Sequence, residues 1–131
     1  MNRLPYLFLF LASAAVTNGD FVKPLTEAAT REELVKHFGT TIGFGEVEKW
    51  EFTTAGRKLI VFGYRPYSGR AACYLHAYYY NATKQRWFLF IDRLVEPATA
   101  LSAEISADHW LIFKDRGGKV VANYSVEALP K

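Results

Sequence analysis

Apolar and polar positions divide the chain into three stretches. Leu4 to Leu11 form an unbroken apolar and aromatic run, Thr30 to Gly39 carry apolar residues at helical spacing, and from Glu46 onward short apolar runs alternate with turn residues. The middle stretch, LTEAATREELVKHFG, predicts a helix. Thr30 and Glu33 make a capping box, in which each side chain satisfies a free backbone N–H at the helix start. Leu34, Val35 and Phe38 form its apolar stripe. Gly39 is placed to take the left-handed position just past the helix end. So short a helix is marginal alone and must lay its stripe on another surface.

The remainder reads as strands: Glu46–Thr53, Lys58–Tyr64, Arg70–Tyr80, Gln85–Val95, Ala100–Ser106, His109–Lys114 and Lys119–Val126. Turn signals separate them at Ala55-Gly56, Pro66 to Gly69, Asn81 to Lys84 and Asp115 to Gly118. Ala100–Ser106 also fits a helical turn. The predicted fold is α+β and mainly β, with one short N-terminal helix packed on a six- to seven-stranded antiparallel meander. A two-layer β-sandwich or a small barrel satisfies the same pattern. Gly43 and Gly45 follow the helix, the reverse of the order a phosphate-cradling loop needs.

The stretch CYLHAYYYN, Cys73 to Asn81, holds four tyrosines and a histidine. Alternation on a strand puts Cys73, Leu75, Ala77 and Tyr79 on one face and Tyr74, His76, Tyr78 and Tyr80 on the other. A tight turn pairing Asn81 with Lys84 would set Tyr78 opposite Trp87, His76 opposite Leu89 and Tyr74 opposite Ile91. The other face would then collect Phe88, Phe90 and Asp92. The Leu/Ala/Cys face reads as core. The Tyr/His/Trp face is amphipathic, with large rings and polar tips. It either lies partly under the helix with its hydroxyls at the rim, or stands open as a platform for a ligand. So many open rings would exceed the apolar patch a monomer tolerates, and the helix needs a sheet face, so partial burial is expected.

The N-terminal run has the three parts of a secretory signal peptide: Arg3, the apolar Leu4 to Leu11, and small residues at Ala12-Ser13-Ala14 or Thr17-Asn18-Gly19. The stretch free of charge, Leu4 to Asn18, is shorter than the roughly 20 residues of a membrane-spanning helix. Cleavage is expected after residue 14 or 19, leaving a single β-rich domain at residues 20–131 with no transmembrane segment, exported to a periplasm or secreted. No Cys follows the apolar run, so lipid anchoring is not expected.

Charge and cysteine narrow the partners. Cleavage removes Arg3, so basic residues fall from 16 to 15 against 13 acids, a net charge of +2. The densest basic spots, Arg57-Lys58 and Lys84 to Arg86, form no stripe, so a nucleic-acid partner is not expected. Cys73 is the only cysteine, so no internal disulfide holds the domain, and a buried thiol is expected.

Candidate chemistry is sparse. Cys73 and His76 are three residues apart on one strand and so point to opposite faces. Asp108 and His109 are neighbours and also diverge. His37, His76 and His109 have no metal-ligand spacing. Glu32-Glu33 and Glu46/Glu48 read as solvated surface. No catalytic residue, metal site or cofactor is predicted. Two N-x-[ST] sequons occur, at Asn81 and Asn123. In a eukaryotic secretory route Asn81 would be an accessible acceptor, but its expected role is that of a turn residue.

The capped helix ending near Gly39, the aromatic strand around Trp50 and the hairpin to Phe62 resemble small periplasmic lipoproteins of outer-membrane assembly and the β-lactamase-inhibitor-like fold. The lipidated Cys of those lipoproteins is absent, and Thr40-Thr41 stand where they often carry Pro. No site carries over.

The reading that follows is a small exported non-enzymatic binding module for a protein or glycan. Its candidate binding residues are Tyr74, His76, Tyr78, Tyr80 and Trp87, with Arg86 as a rim charge. One alternative is a small hydrolase or thiol enzyme, whose mark would be a pocket holding His76 or His109 within about 3.5 Å of Asp92, Asp108 or Cys73. Another is a structural protein of envelope assembly.

Overall fold

The computed structural model describes residues 22–41, 47–65, 72–97 and 100–131. The expected signal segment, the Gly43–Gly45 loop and the turn at residues 66–69 lie outside them. The chain runs β1 (Glu27–Ala28), α1 (Arg31–Thr41), β2 (Val47–Thr54), β3 (Arg57–Tyr64), β4 (Cys73–Asn81), β5 (Arg86–Val95), β6 (Leu101–Ile105), β7 (Trp110–Asp115) and β8 (Val120–Ser125). A 3₁₀ turn, Val126–Ala128, follows. The fold is α+β and mainly β, as the pattern predicts. Among the described residues the strands form two antiparallel sheets, one in the order β1-β5-β4-β3-β2 and one in the order β6-β7-β8, and no barrel closes.

The five-stranded sheet is buried on both faces. On one side Leu59, Val61, Leu75, Ala77 and Ile91 pack against Leu111, Phe113 and Ala122 of the three-stranded sheet. On the other, Ile60, Phe62, Tyr64, Tyr78 and Trp87 pack against Leu34 and Phe38 of α1 and against Val22 and Ala28. Helix, large sheet and small sheet are therefore three layers. The predicted sorting of β4 holds: its Cys73, Leu75 and Ala77 face the small sheet, and its tyrosine face lies toward the helix.

The helix begins where the capping box says. Glu33 N–H donates to Thr30 Oγ1 at 3.1 Å, and Glu33 Oε1 accepts from Thr30 N–H at 3.1 Å and Ala29 N–H at 2.7 Å. That boundary leaves the preceding residues extended, and Glu27–Ala28 pair with Phe88 and Trp87. The helix end differs from expectation: α1 continues through Gly39 to Thr41. A glycine costs a helix only about 1 kcal/mol relative to alanine, a penalty that the packing of Phe38 just before it offsets.

The β4–β5 register also differs. Asn81 pairs with Arg86, so four residues turn the chain and Tyr80, not Tyr78, stands opposite Trp87. A shift of two keeps every side chain on its face. A bulge does not. Tyr78 pairs with Leu89 but Ala77 with Ile91, which leaves Phe90 as an extra residue in β5. Beyond it, Ile91 moves to the small-sheet side and Asp92 to the helix side, opposite His76.

Candidate functional site

The helix-side face of the large sheet has a closed part and an open part. In the closed part His76 is fully buried, stacked near Phe38 at a ring separation of 5.2 Å. Its Nδ1 lies 3.3 Å from Asp92 Oδ1. Its Nε2 lies 3.1 Å from the Tyr64 hydroxyl, which accepts from Val22 N–H at 2.8 Å. The Tyr64 hydroxyl, which accepts from Val22, has a proton it can donate to Nε2; in that tautomer the imidazole proton is on Nδ1, the nitrogen nearer Asp92. Burial pushes the His76 pKa down, while the Asp92 carboxylate partly opposes that shift. Nearby, the Tyr78 hydroxyl donates to the Leu25 carbonyl at 2.7 Å, and burial raises both phenols above their ordinary value.

The pair His76–Asp92 thus meets the distance that an acid–base site would need. It fails on access. The imidazole is sealed beneath Phe38, and both ring nitrogens face protein groups. The Asp92–His76–Tyr64 chain ties the N-terminal segment at Val22 to the sheet; Tyr78 does the same at Leu25, and His37, whose Nε2 donates to the Lys23 carbonyl at 2.8 Å, ties the segment to α1. The buried members of that trio, His76 and Tyr64, form a polar seam of the core, and the half-exposed Asp92 is its outer end.

The open part lies past the start of α1. Register carries one row across the face there. Thr53 stands opposite Lys58 and Tyr80 opposite Trp87, and the β3–β4 pairing, continued one step past Leu59–Tyr79, brings Lys58 beside Tyr80. This row floors a cleft of about 550 Å³, whose wall is the Arg31–Glu51 pair. The rings of Tyr80 and Trp87 meet edge to face, 5.4 Å apart. Tyr80 is half-buried and Trp87 is 7 % exposed, so tyrosine supplies most of the accessible ring. Arg31 grips Glu51 with both Nε and Nη2 at 2.6 Å. This fork holds the Glu51 carboxyl below its usual range.

The structure therefore separates the residues singled out in the sequence. Tyr80 and Trp87 reach the cleft. His76 and Tyr78 are core, and Tyr74 is half-buried beside Tyr64, their rings stacked at 5.2 Å. Arg86 follows the alternation to the opposite face, where it pairs with Glu27. It is not a rim charge of this surface. Sequence reasoning missed Lys58, Thr53, Arg31 and Glu51. The signal for the first two was the Ala55-Gly56 turn, which fixes Thr53 opposite Lys58. Nothing in the sequence marks Arg31 and Glu51 as partners, since the helix must first dock.

Other candidates fall elsewhere. Cys73 is buried, 5 % exposed, on the face opposite His76, and burial raises its thiol. His109 turns from Asp108 and shares a 2.6 Å hydrogen bond with Thr54 Oγ1, while Asp108 accepts from Ser106. Among the described residues no three His, Cys, Asp or Glu gather as metal ligands, and no helix is long and apolar enough to cross a membrane. Asn81 is 4 % exposed, and its Oδ1 accepts from Lys84 N–H at 2.9 Å. It is a turn-capping residue, not an accessible acceptor, and the left-handed conformation falls on Gln85 at φ 55°. Asn123 is exposed on β8. No protein-family model matches this chain, and no curated protein or solved structure does so either.

Proposed function

We propose that this is a small exported binding module, without catalytic activity, that recognises a protein or glycan through the uncovered end of its aromatic sheet face. Export rests on the tripartite N-terminal segment ending at Ala14 or Gly19. Binding rests on one observation: a cleft in which Tyr80, seated on Trp87, stands among Thr53, Lys58 and the Arg31–Glu51 pair. Aromatic rings with a few convergent polar groups are a usual form of a recognition site. The volume of about 550 Å³ falls within the roughly 300–1,000 Å³ of such sites.

The test is Tyr80→Ala. The wild-type chain is expected to bind a defined glycan on an array, or a partner protein from the native secretome. The variant should lose that binding while its thermal midpoint stays within a few degrees. Retained binding by the variant, or loss of binding only through unfolding, would remove Tyr80 from the site.

A further inference from the structure

We propose that the ligand of this cleft is an acidic saccharide, a sugar unit carrying a carboxylate or sulfate. This rests on the cleft being the binding site and goes further by naming the chemistry.

Charge makes the first argument. Three ionic side chains line the cleft: Arg31, Lys58 and Glu51. The Glu51 carboxylate is already engaged by both arms of the Arg31 fork, with Lys49 Nζ a further 3.6 Å away. It is not available to a cationic ligand. Lys58 is exposed, in the middle of the floor, and no acidic group pairs with it among the described residues. An anion brought beside Tyr80 would answer Lys58 without displacing a protein partner.

Shape and lining make the second. A peptide docking here would need an apolar side-chain pocket, and of the four aliphatic or aromatic lining residues three, Leu59, Phe52 and the 7 % exposed Trp87, give it little surface. Leu59 is 1 % exposed and Phe52 packs against the core on the far side of the sheet. What remains is one tyrosine ring, the Thr53 hydroxyl and an ammonium group. A pyranose offers the complements: a face of C–H groups for the ring, hydroxyls for Thr53 and the tyrosine tip, and a carboxylate or sulfate for Lys58. Tyrosine suits such a boundary because one end is apolar and the other polar.

Titration calorimetry on the purified protein tests this with three probes: tetragalacturonate, its neutral methyl ester, and sulfated cellobiose. At least one of the two acidic sugars is expected to bind, and which one tells carboxylate from sulfate. The methyl ester should bind about tenfold more weakly than tetragalacturonate where the carboxylate is the ligand, the size of one charge-assisted hydrogen bond. Lys58→Gln should weaken the acidic sugar by a similar factor, and Lys58→Arg should restore it. Equal binding of acid and ester, with no response to Lys58→Gln or to sulfate, would overturn the acidic class and leave the cleft in place. Binding of no sugar would overturn the saccharide. If Tyr80→Ala also kept the array or secretome partner bound, the cleft itself would be wrong.

Discussion

Gly63 leaves room for an indole. A Cβ there would stand 2.9 Å from Cζ3 and 3.1 Å from Cη2 of Trp50, whose ring packs on Phe113 of the small sheet. Neither the ring nor the strand behind it can give easily, so Gly63→Ala is expected to cost about 1–3 kcal/mol. A lower urea midpoint with an unchanged slope would show it. His76 carries a different cost. Burial pushes its pKa to about 4, against the pull of Asp92, while an unfolded histidine titrates near 6.5. The unfolded chain therefore takes the proton first. Stability is complete above pH about 6.5 and is lost as pH falls toward about 4, by on the order of 3 kcal/mol. Urea midpoints measured across that window should drop, and His76→Gln should flatten the drop even if its plateau is lower. A wild-type midpoint constant from pH 7 to 4 would contradict the buried neutral imidazole. The sequence already showed Cys73 and His76 on opposite faces, because a period of two needs no register. It did not show His76 facing Asp92, because that depends on a bulge at Phe90, and nothing about a phenylalanine in an apolar run marks it as the extra residue.

A short capped helix draws its stability from what it packs on, and α1 separates the two contributions. The capping box defines its start, yet a cap is worth about 1 kcal/mol. Phe38 stacks on Phe62 at 4.4 Å and reaches His76 and Tyr78, and it is fully buried. Removing such a ring costs about 3–5 kcal/mol. Phe38→Ala should therefore lower the midpoint several times more than Thr30→Ala, and hydrogen exchange should rise in α1 and at Val22 to Ala28 together. A larger loss from the cap would mean that local propensity, not the sheet, holds the helix. Element boundaries in the sequence were legible where a mechanism fixed them. Thr30, Glu33 and the Ala55-Gly56 turn, with φ of 51° and 71°, fall where the residue types require. The end of α1 and the length of the β4–β5 turn were not legible. Gly39 prefers the position past a helix without being confined to it, and Asn81 can cap a longer turn as well as form a tight one.

The division of the strands between two sheets is a property of the whole molecule. Seven of the eight strands, β2 to β8, were visible in the sequence and the two-residue β1 was not, but a meander and two stacked meanders share the same local pattern. The break falls after β5, at Glu96-Pro97, and the chain then crosses to cover the far face. The small sheet has one apolar face, bearing Leu111 and Phe113, both fully buried. Its other face carries polar groups such as Ser102, Glu104 and Asn123. A three-stranded sheet needs a packed face for stability, so the small sheet is not expected to fold by itself. Side-chain links, among them Arg93 to the Tyr124 hydroxyl, add to the shared core. Thr54 bonds His109, held at φ 67°, and Arg57 Nη2 donates to the Leu129 carbonyl at 2.6 Å. Layers joined through a shared apolar core should unfold as one. Phe113→Ala is expected to cost about 3–5 kcal/mol. It should shift the transitions seen by tryptophan fluorescence and by far-ultraviolet circular dichroism to the same new midpoint, the mark of a cooperative unit. Trp50 touches Phe113, whereas Trp87 lies across the large sheet among the residues that face α1. A background with Trp50→Phe and Trp110→Phe, the latter on β7 of the small sheet, leaves Trp87 of the large sheet as the reporter. If its fluorescence stayed at the wild-type midpoint while dichroism moved, the small sheet would be melting on a large sheet and helix that stand without it.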